Sequence, residues 1–360
     1  MKNKNNLISI EICRAIAALG VFSFHQSIGS LLSAYTGLKI FSFFDYFGAY
    51  LAVPFFFLIS GYCIHFSYLN YIKSDTKFSL FAYYKRRFFR IYPPYISALI
   101  ITVILNRAGN FRQFPSFLNS LVHLFCLQGF TWKYFLGINL VLWTISVEIA
   151  FYLIYPVFFY VRKKYSLNAA MCFSFIISAI TISFFILTKN FAAPQFYCFS
   201  NIWFSWCCGA FLADKLYFNS KSLNNWQSLV TYLVIFIAFL AFTSLHAFYI
   251  SAIGLIGYQL KILIWTGPLI FLISKEQWLQ KQNSVIINTI RAIGISSYSL
   301  YLLHEPLIIF KNFVVNAYLS PKIRIVGFII GIIMIPALTW LHYYYIEKPF
   351  LTKNKSTEGE

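Results

Sequence analysis

Acidic residues are scarce in this sequence, with ten Asp and Glu against 29 Lys and Arg over 360 residues. Charged residues of both signs make up only 11% of the chain, too few to cover the surface of an ordinary soluble domain. The seven cysteines, at 13, 63, 126, 172, 198, 207 and 208, are odd in number and lie mostly in apolar runs. They form no Cys-x-x-Cys pair, so neither a disulfide framework nor a zinc site is indicated. No His-Glu-x-x-His pair, Gly-x-Ser-x-Gly elbow or phosphate-cradling glycine loop occurs, so no metal is expected. Internal repeats, low-complexity linkers and a separately folding soluble segment are also missing.

Apolar residues are abundant. Hydrophobic residues make up 59% and aromatics 21% of the chain, which marks a polytopic membrane protein. Runs of spanning length lie near 7–32, 43–69, 91–106, 138–161, 167–188, 196–217, 228–246, 249–274, 292–310 and 323–345. The expected fold is therefore all-α, a membrane bundle of about ten transmembrane helices. The third run is short and begins at Pro93 and Pro94, and the aromatic stretch 111–130 suits an interfacial helix. With the N-terminus inside, nineteen basic residues fall in inner segments and eight in outer ones, which puts both termini in the cytoplasm. Basic residues in short clusters between apolar runs imply no nucleic acid partner. The N-terminal run is long, internally charged and without a clear cleavage site, and is expected to be retained as the first span. Residues 1–350 are expected to form one transmembrane domain and residues 351–360 a short polar disordered tail.

Ionisable groups in hydrocarbon are expensive and mark function by default. The first run holds Glu11, Arg14 and His25. At about 100° per residue, the eleven steps from Arg14 to His25 return to within roughly 20° of the start and advance about 16 Å. The two side chains share a helix face. The second run ends in Ser60-Gly61, a pair that lets helix backbones approach closely. Lys85, Arg86, Arg87 and Arg90 form a cationic cluster at the entrance of the third run, suited to a polyanion such as the nucleotide end of coenzyme A. The plainer role is an anchor on anionic lipid headgroups. Glu148 follows Trp143 and Ser146 and is the sole acid between Asp75 and Asp214. A carboxylate there needs a cation, water or a proton. In the ninth run Tyr298, Tyr301 and His304 recur at steps of three as one polar edge. His65, His123, His246 and His342 lie near span ends or in loops, where an interfacial ring needs no special role.

Six motifs in order carry a resemblance. Arg14 and His25 with ten residues between them, Phe-Phe-x-x-x-Ser60-Gly61, Arg87-x-x-Arg90, Trp143-x-x-Ser-x-Glu148, Ser-Tyr298-x-x-Tyr301-Leu-x-His304-x-Pro and the terminal Glu347-Lys-Pro resemble the acyltransferase-3 family of membrane O-acyltransferases. Ala15 and Pro54 depart from the pattern, standing where members often have Gly and Asp.

The resemblance implies transfer of an acyl group, commonly acetyl from cytoplasmic acetyl-CoA, to a hydroxyl of a surface carbohydrate such as O-antigen, capsule or exopolysaccharide, in a bacterial cytoplasmic membrane. The expected partners are acyl-CoA, a carbohydrate or lipid-linked glycan acceptor and membrane lipid. His25, Glu148 and Arg14 are the expected catalytic set, with Glu148 fixing the tautomer of His25. Arg86, Arg87 and Arg90 are expected to hold the CoA phosphates, and Ser60, Gly61, Trp143, Tyr298, Tyr301 and His304 to line the substrate path. Direct transfer and a transient acyl-histidine are both open. The rival is a transporter or flippase of a lipid-linked sugar. Some relatives carry an added esterase-like domain; only ten mostly polar residues follow Phe350, so the bundle is expected to act alone or with a separate partner.

Overall fold

The computed structural model describes residues 7–74, 77–218 and 252–351. All regular structure among them is helical. The chain runs through α1 (Ile8–His25), α2 (Ile28–Thr36), α3 (Ser42–Tyr50), α4 (Ala52–Phe66), α5 (Leu69–Lys73) and α6 (Leu80–Ala108). It continues through α7 (Phe117–Leu124), α8 (Trp143–Lys164), α9 (Leu167–Leu187), α10 (Ala193–Phe196) and α11 (Phe199–Phe218). The last helices are α12 (Ala252–Leu263), α13 (Thr266–Ser274), α14 (Glu276–Lys281), α15 (Val285–Ile295), α16 (Ser297–Tyr318) and α17 (Arg324–His342). A π turn at Tyr343–Glu347 follows.

Among the described residues seven helices are long and apolar enough to cross a membrane, or nine if each of two bent pairs, at Leu51 and at Ser296, counts as one span. The protein is thus a multi-pass membrane protein. The apolar run 228–246, His246, Lys2, Lys4, Lys221 and the tail from residue 352 lie outside the described residues.

Three boundaries differ from expectation. The first run does not continue to residue 32: α1 stops at His25, and Ser27 takes a left-handed conformation (φ 52°) before α2. Asp45 holds the break, its carboxylate accepting from the Gly29 and Ser30 amides (2.9 and 2.7 Å) and the Ser30 hydroxyl (2.6 Å). The third span does not begin at the prolines. Pro93 and Pro94 sit inside the 29-residue α6, so the cationic cluster rides on the helix itself. A proline lacks one donor and is tolerated within a membrane helix where neighbours satisfy the freed backbone groups. Finally, α8 begins at Trp143 rather than near 138. Buried Asn139 holds the preceding segment out of helix, its amide donating to the Leu302 carbonyl (3.1 Å) and its oxygen accepting from the Val141 amide (3.1 Å).

The described helices pack as two compact units. The first draws on Met1–Ala17, Tyr50–Phe78 and Val147–Gly294. Its most extensive crossing is α4 on α11, where Gly61 and Gly209 leave no room for a side chain. A Cβ on Gly61 would strike the Trp206 carbonyl, and one on Gly209 the Leu58 carbonyl. Small residues permit this approach where lipid supplies no hydrophobic drive between helices. The second unit draws on Ala18–Ala49, Ser79–Ser146 and Ile295–Glu360. In it α16 packs on α6 and α17. Ile325, Ile329, Ile330 and Ile333 of α17 stay exposed, as suits a lipid-facing stripe.

Candidate active site

In the second unit the C-terminal residue of α1, His25, meets His304 of α16. The ring centroids are 4.8 Å apart and edge-on, and His304 Nε2 lies 3.3 Å from His25 Nδ1. Proton positions follow from the partners. His304 Nδ1 faces two carbonyls, Tyr301 O at 2.7 Å and Leu300 O at 3.2 Å. Carbonyls only accept, so Nδ1 of His304 carries the proton and Nε2 is a lone pair. His25 Nδ1 lies 2.9 Å from the Val21 carbonyl, and it donates both there and to His304 Nε2. Nε2 of neutral His25 is therefore an unprotonated base. His304 is almost wholly buried while His25 is half-buried, so the pair has a sheltered and an accessible end.

Glu148, the expected partner of His25, makes its hydrogen bonds elsewhere. In the first unit its carboxylate accepts from the Ser60 hydroxyl (3.1 Å) and from the Tyr152 phenol. Arg14 donates to the Cys63 sulfur (3.4 Å) and has Glu148, Tyr152 and Glu11 as electrostatic neighbours. Arg14, Ser60 and Glu148 thus form one half-buried polar group of that unit. Glu11 pairs with Arg291 at 2.6 Å. Gly61 serves the contact with α11 described above.

Tyr298, Tyr301 and His304 do not form one edge. Each step of three turns the helix by about 300°, so the three directions fan over some 120°. Tyr298 donates to the Ile91 carbonyl (3.0 Å), Tyr301 shares a hydrogen bond with Thr144 (2.9 Å), and His304 meets His25. Trp143 stacks on Phe135, centroids 5.2 Å apart. In the cationic cluster, Arg86 donates to the Ala82 carbonyl (3.3 Å) and the Arg87 guanidinium lies over the Tyr83 ring at 5.7 Å.

Three histidines expected at interfaces, His65, His123 and His342, are instead buried and hydrogen-bonded. In the first unit His65 lies between Asp214 (3.1 Å) and Tyr155 (3.1 Å), and Arg162 clasps the same Asp214 at 2.7 and 3.1 Å. In the second, His342 contacts Ser299 (2.9 Å) and Ser97 (3.2 Å), and Ser299 donates to Glu347 (2.7 Å). Position near a span end says nothing about which way a ring turns. Asp45 and Glu276 also carry no sequence signal, since each caps a helix distant in sequence. Glu276 accepts from the Ile8 and Ser9 amides at the start of α1 (3.0 and 2.9 Å).

The acyltransferase-3 family model, described as an acyltransferase domain, matches residues 7–344. The chain belongs to the acyltransferase-3 family. Among curated proteins this acyltransferase-3 chain is similar to the peptidoglycan O-acetyltransferase OatA of Listeria monocytogenes serovar 1/2a, 24% identical over 325 residues. That match covers 83% of the present chain and 49% of the relative, so the chain spans about half the length of the curated relative it matches. No solved structure matches.

Proposed function

We propose that this acyltransferase-3 protein is a membrane O-acetyltransferase that moves an acetyl group from cytoplasmic acetyl-CoA to a sugar hydroxyl of a cell-envelope polysaccharide in a bacterial cytoplasmic membrane. The observation that carries the reading is the directed hydrogen bonding of His25, whose Nδ1–H is held by Val21 O and His304 Nε2. That arrangement leaves Nε2 ready to accept a proton. The acceptor hydroxyl gives its proton to His25 Nε2 as its oxygen attacks the thioester carbonyl. The carbon–sulfur bond breaks, and the proton passes to the departing CoA sulfur. General base catalysis of this kind contributes about 10²- to 10⁴-fold in rate. In a two-step route the same Nε2 would carry the acetyl group.

Arg86, Arg87 and Arg90, on the first turns of α6, are the proposed grip on the CoA phosphates, since guanidinium groups hold phosphate oxygens through paired, charge-assisted hydrogen bonds. Similarity to a peptidoglycan O-acetyltransferase supports acetyl transfer to envelope glycan.

The test is purified protein in lipid nanodiscs with radiolabelled acetyl-CoA and oligosaccharide acceptors. Label is expected in the sugar with the intact protein and not with His25→Ala. Translocation of a lipid-linked sugar without any acyl donor would overturn the enzyme reading in favour of transport. A burst of protein-bound acetyl before the first turnover would select the two-step route.

A further inference from the structure

The second unit holds a cavity of about 200 Å³ at the C-terminal end of α6, walled by Asn106, Arg107, Arg112, Phe114, Asn119 and Gly137 among others. That is smaller than the roughly 300–1,000 Å³ of a drug-sized site and has room for a single sugar ring. Its lining contains two arginines and no acid. Arg112 donates to the Gly137 carbonyl and has Glu305 as an electrostatic neighbour. Arg107 has no carboxylate partner among the described residues; its guanidinium lies 6.0 Å from the centroid of Phe114, an exposed ring. The side-chain oxygen of Asn119 is shielded from solvent and accepts no hydrogen bond from the protein. A shielded acceptor left unsatisfied calls for a donor from outside the chain. Gly137 gives it space, since a Cβ there would come within 2.8 Å of that oxygen.

Position adds a second argument. Arg107 follows Arg87 by twenty residues on one helix, an axial distance of about 30 Å, which is the thickness of a bilayer's hydrocarbon core. The cavity and the cationic cluster proposed for CoA thus occupy opposite ends of α6. The cavity wall also leads to the histidine pair. Ile138, in that wall, adjoins Asn139, whose amide holds the Leu302 carbonyl two residues before His304. Glu305, the electrostatic neighbour of Arg112, directly follows His304.

We propose that this cavity is the acceptor subsite and takes one acidic sugar residue of the glycan. The sugar carboxylate pairs with Arg107, a ring hydroxyl donates to the Asn119 oxygen, and the apolar face of the ring lies on Phe114. The proposal rests on the acetyltransferase reading for the word acceptor, while binding itself is measured without turnover.

Saturation-transfer NMR and calorimetry on the full chain in zwitterionic-lipid nanodiscs, with a glucuronate-containing and a glucose-containing disaccharide, provide the test. The wild-type chain is expected to bind the acidic disaccharide about tenfold more tightly, as one charge-assisted pair predicts. Arg107→Gln is expected to abolish that preference, and Phe114→Ala to weaken both sugars alike. Equal affinity for the two sugars, or a preference that survives Arg107→Gln, overturns the proposal. Loss of the preference when phosphatidylglycerol is added to the nanodisc also overturns it, by showing a lipid-phosphate site. Preferential binding with no acetyl transfer to either sugar would retain the subsite and reject the enzyme.

Discussion

The two units bury polar groups in different ways. In the first, full charges answer one another: Arg162 with Asp214, Arg291 with Glu11, and Glu276 with the positive end of α1. In the second, the buried groups are chiefly histidines, hydroxyls and amides in directed hydrogen bonds, as at His25 with His304, His342 with Ser299, and Asn139 with Leu302. A matched ion pair has spent its charge on holding helices together. A histidine that donates through one nitrogen keeps a lone pair on the other, and that lone pair is available for chemistry. Charge in a membrane span is therefore a weaker pointer to the reacting atom than the direction of a neutral hydrogen bond.

The contrast can be broken experimentally, starting with the largest effect. His25→Ala should reduce acetyl transfer by about 10²- to 10⁴-fold, the value of a general base, with the protein still present in the membrane by immunoblot. Activity near wild type would remove the second unit from the chemistry. Asp214→Ala should chiefly destabilise, by about 3 kcal/mol, because Arg162 is left without its carboxylate. A thermofluor melt in detergent should record the loss, while kcat of the surviving folded fraction stays close to wild type. A collapse of kcat without a lower Tm would put catalytic work in the first unit's charges.

Smaller effects sharpen the comparison. His304→Ala should lower kcat by about tenfold, the value of one hydrogen bond at the upper end of its range, and change the pH profile with little effect on KM for acetyl-CoA. His304→Gln, whose amide oxygen can accept from His25 Nδ1–H, should recover part of the rate; equal rates for the two variants would leave His304 a packing residue. Arg87→Ala should raise KM for acetyl-CoA by about tenfold, as loss of one phosphate contact predicts, with kcat unchanged. The smallest effect concerns His123 of α7, whose ring donates to the Asn119 carbonyl (3.0 Å) and accepts from the Ile138 amide (3.3 Å). Burial lowers its pKa below the ordinary histidine value. The unfolded chain then binds more protons than the folded one. Stability from this ring is complete above about pH 6.5 and is lost as the pH falls toward the lowered folded value. Melting curves between pH 7.5 and 5.5 should show a slope that His123→Gln flattens.

Family membership was legible in the sequence because its six motifs lie in order along one chain, and spacing along a chain needs no coordinates. Membrane helices were legible for a similar reason, since hydrocarbon admits only backbone whose hydrogen bonds are satisfied locally, and apolar length reports that directly. Helix ends were less so. The stop after His25 depends on Asp45, and the late start of α8 depends on Asn139 reaching α16. The partner of His25 was not legible either. Glu148 was the natural candidate as the sole acid in a long stretch, yet a ring 279 positions away in sequence occupies the hydrogen bond.

By itself the sequence determined an all-helical membrane protein of the acyltransferase-3 family and placed Arg14 and His25 on one helix, because periodicity and apolar length act within a single segment. Only the tertiary structure decided which nitrogen of His25 bears the proton and where a cation-lined cavity lies. Both depend on side chains brought together from distant segments, and hydrogen-bond direction is set by the partner at the far end, which linear spacing does not encode.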